Sequence, residues 1–229
     1  MAQAAVDQKL PAILCLHGHG TNGAIFRHQA RNITRALQSR FRFVFAESPI
    51  ETPQPGIGVL PYFADAKPYR RWHHDAHAVG SFDVTAEDIA RERQLVRDTL
   101  AAHVERHQPV GVMAFSQGTR VAAALCLDPE LGGGIRFAIL ICGFAGVLPL
   151  DGSDSGLESR VLDLPSVQAQ GVSDPWAAKA AKLAEKSCFD PALARTIKFR
   201  GGHDVPVAMG DVVKITNEIF AVYESLSAS

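Results

Sequence analysis

A serine held between small residues, where an apolar strand gives way to an apolar helix, constrains this chain more than any other feature. Residues 110–121 read Val-Gly-Val-Met-Ala-Phe-Ser-Gln-Gly-Thr-Arg-Val. The run 110–115 has the length and composition of a buried strand, and 119–127 those of a buried helix. Ala114 and Gly118 stand two residues either side of Ser116, the small-x-Ser-x-Gly pattern of a nucleophile elbow. A serine on so tight a turn has a strained backbone with other chains close by, so bulk at either flank would clash. The turn pushes the hydroxyl clear of the sheet, above the dipole of the following helix. The plain alternative is a serine in an ordinary strand-to-helix turn, and five residues alone do not decide between them.

The rest of the chain alternates in the same way. Residues 11–16 predict a short strand running into His17-Gly18-His19-Gly20-Thr21-Asn22-Gly23. Three glycines in seven residues mark a loop whose backbone must approach something closely. Residues 24–39 place Ile25, Phe26, Ile33 and Leu37 at helical spacing, and 41–46 form the second strand. One helix between two strands implies a parallel crossover. Residues 85–107 predict a charged amphipathic helix with the stripe Ile89, Leu95, Val96, Leu100 and Val104. Further strands are expected at 136–142, 164–171 and 196–200, with helices at about 177–186 and 207–225. The fold class expected is α/β: a doubly wound, mostly parallel sheet of about six strands with helices on both faces, forming a single domain over residues 1–229.

Two stretches interrupt the alternation. Residues 47–82 contain Pro49, Pro53, Pro55, Pro61 and Pro68 and the aromatics Tyr62, Phe63, Tyr69 and Trp72. Residues 143–163 are rich in glycine, serine and aspartate. A long loop in a compact domain is usually functional or disordered, and aromatics argue against disorder. Both stretches are expected to wall a substrate pocket, through Tyr62, Phe63 and Trp72 in the first and Phe144 in the second. The alternative is a structural cover with its aromatics tucked beneath.

Charge and cysteine usage exclude several classes. With 23 basic and 24 acidic residues and no basic stripe, nucleic acid is not an expected partner. No apolar run approaches the ~20 residues of a membrane span, and neither terminus carries a recognisable signal or lipidation motif. Cys15, Cys126, Cys142 and Cys188 are scattered without Cys-x-x-Cys spacing, and the first three sit in apolar runs, where a thiol behaves as a small hydrophobe. These features point to a reduced, cytoplasmic enzyme.

Ser116, Asp174 and His203 fall at the C-terminal ends of three separate predicted strands, the ligand-binding edge of an open parallel sheet. Their order, serine then acid then histidine, is that of the α/β-hydrolases. A serine at its free pKa needs a base to take its proton. A histidine can accept that proton and return it to the leaving group, and a carboxylate behind it fixes the tautomer and stabilises the imidazolium. An oxyanion needs two preorganised donors. These are expected to be the backbone N–H of Gln117 and that of His19, with Gly20 as the alternative second donor. Asp204, adjacent to His203, is the weaker choice of acid because a neighbour on a strand-end loop usually points elsewhere. His17, His19, His73, His74 and His77 could hint at a metal, but no carboxylate or cysteine stands at ligand spacing from them, and no metal is expected. Trp176 is expected to pack beside the acid.

Leu16-His17-Gly18 with Asn22-Gly23, Ala114-Phe-Ser-Gln-Gly118, Gly171-Val-Ser-Asp-Pro-Trp176 and Gly201-Gly-His-Asp-Val-Pro206 together resemble the small α/β-hydrolases grouped as the "family of serine hydrolases". The resemblance runs from Leu10 to about Phe220, and Ala114 departs from the usual glycine. It implies Ser116 as nucleophile, Asp174 as acid, His203 as base, esterase or thioesterase activity and no cofactor. In many members it also implies release of a polyketide acyl chain from the acyl-carrier domain of a synthase. An acyltransferase, a carbon–carbon bond hydrolase or a non-catalytic binding protein could use the same framework.

Overall fold

The computed structural model describes residues 9–74, 84–143, 147–148, 150, 161–178 and 188–227. Six strands form one parallel sheet: β1 (Ala12–Leu16), β2 (Arg42–Phe45), β5 (Gly111–Phe115), β6 (Phe137–Ile141), β7 (Ser166–Gly171) and β8 (Ala194–Phe199), in the order β2-β1-β5-β6-β7-β8. All five strand pairs are parallel. The strand order reverses between β1 and β5, the kind of topological switch point at whose carboxyl edge open α/β sheets bind ligands.

The apolar runs are long because the sheet is covered on both faces. Alternate residues of one strand enter different cores. Leu14, Leu16, Val112, Ala114, Ala138 and Leu140 join Val96 and Leu100 of α3 (Ala86–His107) and Val121 and Leu125 of α4 (Gly118–Leu127). Ile13, Cys15, Met113, Phe115, Ile139 and Ile141 join Phe26 of α1 (Gly23–Gln29), Ile33 and Leu37 of α2 (Arg31–Leu37) and Ile215 and Ile219 of α6 (Met209–Ser227). A four-residue helix, α5 (Pro129–Gly132), capped by the Asp128 side chain, precedes β6.

Three details differ from the sequence expectation. The helix expected at 24–39 is two helices separated at Ala30 (φ −83°, ψ 3°). The break lets α1 pack on β1 and β2 while α2 packs on α6. In α3, Val96 and Leu100 are buried, but Leu95 is 46% exposed and belongs to the solvent face. The first irregular stretch contains a small antiparallel pair, β3 (Ile50–Thr52) with β4 (Tyr69–Arg71), too short to read from a period-two pattern. Of the helix expected at about 177–186, only Ala177 and Ala178 lie within the described residues, and they are helical.

Leu100→Ala is expected to lower unfolding free energy by ~2–5 kcal/mol, through lost burial plus a cavity, whereas Leu95→Ala stays within about 0.5 kcal/mol. Urea unfolding of the two variants measures the difference.

Candidate active site at the exit of the parallel sheet

The turn after β5 is as tight as its glycine demands. Ser116 has φ +52°, a left-handed conformation that costs a side-chain-bearing residue energy and persists only where the surroundings hold it. Its N–H donates to Ile141 O at 3.0 Å, continuing the ladder to β6, while its carbonyl accepts from Thr119 N and Thr119 Oγ1. Gly118 is required by close approach: a Cβ there would fall 2.6 Å from Leu16 O and 2.7 Å from His17 O. Ala114 is fully buried in the core facing α4, which accommodates its methyl group.

Ser116, Asp174 and His203 meet at this edge. Ser116 Oγ lies 2.7 Å from His203 Nε2, and His203 Nδ1 lies 2.8 Å from Asp174 Oδ2. The three residues are 8%, 6% and 8% exposed. Nδ1 facing an acceptor-only carboxylate must carry the proton, which leaves Nε2 to accept one from the serine. Burial raises the Asp174 pKa. The hydrogen bonds from His203 and from Trp176 N–H, which donates to Oδ1 at 2.8 Å, outweigh it and hold the carboxyl below its ordinary range. The acid and base loops are also tied to each other: Ser173 N–H donates to Gly201 O, and Gly171 approaches so closely that a Cβ would fall 2.0 Å from Gly202 O. Phe115 and Trp176 flank the His203 ring at centroid distances of 5.2 and 4.6 Å. Asp204 is exposed and, near Gly58, faces the first irregular stretch.

The glycine-rich loop after β1 passes against the elbow. A Cβ on Gly18 would fall 3.3 Å from Ser116 Cβ. Gly20 (φ +65°) donates its N–H to Arg70 O, and its carbonyl accepts from Gly56 N, so this loop is pinned by the irregular stretch. Arg70 in turn pairs with Glu47 at 2.7 Å. The N–H of Gln117 has no protein acceptor among the described residues. The Gln117 side chain bridges outward: Oε1 accepts from Trp72 N at 2.7 Å and Nε2 donates to His73 O at 3.1 Å.

His17, which carries no metal expectation, is a central support of the β1 exit. It is fully buried; its Nδ1–H donates to Gly18 O at 2.8 Å, and its Nε2 accepts from Ser48 N at 3.3 Å. The Trp72 ring lies tilted against it, with centroids 4.9 Å apart, and donates its indole N–H to His17 O. Burial pushes the His17 pKa down to about 4, assisted by the positive charges of Arg70 and His19.

The aromatic residues expected at the pocket are dispersed. Trp72 is 1% exposed, Phe63 is half-buried against His28 and the Ile25–Val59–Tyr69 cluster, and Tyr62 is 86% exposed. Phe144 lies outside the described residues. Cys142 and Gln170, which sequence reasoning passed over, both stand beside Asp174. Gln170 Nε2 donates to Asp174 Oδ2 at 2.6 Å. The Cys142, Asp174 and His203 donor atoms lie within 4.8 Å of one another, the one grouping of potential metal ligands among the described residues. Burial, followed by the Asp174 charge, pushes the Cys142 thiol up to about 12, so it stays protonated and is a poor ligand.

A parallel sheet carrying this elbow at its exit edge defines an α/β-hydrolase. Solved structures agree: a Bacillus cereus carboxylesterase matches with a TM-score of 0.59 at 19% identity, covering 96% of this chain and 92% of that one. YahD with malic acid matches with a TM-score of 0.61 at 14% identity, covering 95% and 96%. Residues 7–215 match the family described as serine hydrolase (FSH1), and the chain belongs to that family. The thioesterase FSL2 of Gibberella zeae is 45% identical over 96% of this chain and 95% of its own length. The probable esterase azaC of Aspergillus niger is 31% identical over 93% and 86%. The protein is a hydrolase acting on ester bonds.

The neutral His17 dictates a pH response. Its folded pKa is depressed, so the unfolded chain binds more protons between pH 6.5 and 4. Its contribution to stability is complete above pH 6.5 and falls by ~3 kcal/mol as pH drops to about 4. Urea unfolding against pH is expected to show this slope in the wild type and a flatter one in His17→Gln. His103 and His107 are shifted in the same direction, chiefly by burial, and remain in both proteins.

Proposed function

We propose that Ser116, His203 and Asp174 act as nucleophile, base and acid in hydrolysis of a thioester or ester, and that the natural substrate is an acyl chain borne by the acyl-carrier domain of a polyketide synthase. The observation that carries the catalytic reading is the unbroken line Ser116 Oγ–His203 Nε2 at 2.7 Å and His203 Nδ1–Asp174 Oδ2 at 2.8 Å. Ser116 Oγ attacks the acyl carbon as its proton passes to Nε2. The N–H groups of Gln117 and His19 hold the oxyanion. Collapse breaks the carbon–sulfur or carbon–oxygen bond, and Nε2–H protonates the leaving group. Water then attacks the acyl-serine, giving its proton to Nε2, and the carboxylic acid leaves as Ser116 regains its hydrogen.

The carrier-bound substrate is supported by the thioesterase name of the Gibberella zeae relative and by the resemblance of the motifs to polyketide-pathway members.

Ser116→Ala is expected to abolish hydrolysis of short acyl thioesters and labelling by a fluorophosphonate probe. Wild-type rates in that variant would overturn the assignment. Asp174→Asn leaves the imidazole in the wrong tautomer and is expected to lower kcat by ~10⁴, by analogy with serine proteases. The carrier reading is tested by presenting one acyl chain on a carrier domain and as a free thioester. A higher kcat/KM for the carrier form is expected, and equal values would remove it.

A further inference from the structure

Asp174 is held by more donors than its pairing with His203 requires. Oδ1 accepts from Trp176 N–H at 2.8 Å. Oδ2 accepts from His203 Nδ1 at 2.8 Å and also from Gln170 Nε2 at 2.6 Å. Gln170 and His203 therefore share one carboxylate oxygen. The amide orientation is settled by chemistry, since an ionised carboxylate accepts only and the oxygen end of the amide would be repelled.

The local chain builds this contact. Asp174 follows Gln170 by four residues, and the turn between them closes with Asp174 N–H on Gly171 O. Gln170 is the penultimate residue of β7, where Val167, Ala169 and Gly171 are buried, and Val167 and Ala169 enter the core facing α6. Gln170 therefore points to the other face, and the turn folds the Asp174 carboxylate back over it.

We infer that Gln170 is a positioning residue that sets how strongly Asp174 supports the charge on His203. This rests on the triad reading above. A hydrogen bond to an ionised carboxylate stabilises that form and withdraws charge from the oxygen that bears it. That oxygen is the one facing Nδ1, so the Gln170 amide tempers the attraction between carboxylate and imidazolium. Removing the amide concentrates charge on Oδ2. The imidazolium is then stabilised, the imidazole is protonated at higher pH, and the acid limb of kcat/KM moves upward.

The other titratable groups around Asp174 act on the limb differently. From the end of β6, the Cys142 thiol lies within 4.8 Å of the carboxylate and donates to Gly202 O and Asp204 O at 3.7 and 3.5 Å. Its raised pKa keeps it neutral across the acid limb. From the loop after β8, the Asp204 carboxylate is exposed and faces Gly58. Both are unchanged by substitution at Gln170.

The test is the pH profile of kcat/KM for a short acyl thioester with wild type, Gln170→Met and Gln170→Asn. Methionine fills the same space without donating, and asparagine is too short to reach, so either variant carries the reading if the other fails to fold. The acid limb is expected to move up by about half a pH unit, with the plateau within several-fold of wild type. A lower plateau with an unmoved limb, as a purely structural role would give, overturns the inference, and so does a downward shift. Asp174→Asn, alone and combined with Gln170→Met, separates this inference from the triad reading. If Asp174→Asn retains wild-type activity, the triad reading itself falls. If it is disabling and the limb in Gln170→Met is unmoved, only the role of Gln170 falls. In the Asp174→Asn background, Gln170→Met is expected to produce no shift, because the shared carboxylate is gone.

Discussion

Two neighbouring parallel strands end side by side, and their exits touch. Leu16 pairs with Ala114 across β1 and β5, and immediately beyond them Gly118 lies against the carbonyls of Leu16 and His17. Only a residue without a Cβ fits there, and only an elbow that turns sharply, with Ser116 at φ +52°, can place α4 against that ladder. The close approach puts Gly18 beside Ser116 and draws the glycine-rich loop to the developing site. The strained serine persists because the ladder bond to Ile141 and the bonds from Thr119 hold both sides of it.

Around this contact the protein has arranged its polar groups in chains. His17 links the β1 exit to Ser48; Trp72 links it to β4; Gln117 links the elbow to Trp72 and His73. Buried polar groups cost free energy unless satisfied, and each of these bonds satisfies one group while tying two loops together. The irregular stretch that precedes α3 thus serves as a brace for the site. Its attachment is reinforced by the paired bonds from Arg71 to Glu92 at 2.7 and 2.5 Å, with both side chains largely shielded from water.

Much of this was legible in the chain. All six strands of the main sheet lie within about two residues of where the sequence places them, and β1, β5 and β6 are the plainest because a parallel strand buried on both faces leaves a continuous apolar segment. The small-x-Ser-x-Gly pattern marked the elbow, because close approach excludes side chains at fixed offsets. The illegible parts share one physical origin. Leu95 reads as a core residue on spacing, yet its exposure depends on how α3 is rotated against the sheet. The β3–β4 pair joins residues some twenty apart through three-residue strands, too short for a period to appear. The full burial of His17 was not legible because the residues that cover it, Ser48 and Trp72, come from the irregular stretch far along the chain.

Periodicity and turn chemistry are local, so the amino-acid order alone determined the α/β class, the strand sequence and the serine, acid and histidine at three strand ends. It could not determine what stands beside Asp174. Cys142 comes beside the carboxylate only after β6 and β7 pair in register, and Gln170 reaches it only once the turn at Gly171 folds back. Contacts of that kind are set by register and loop closure across the sheet, and these exist only once the chain has folded.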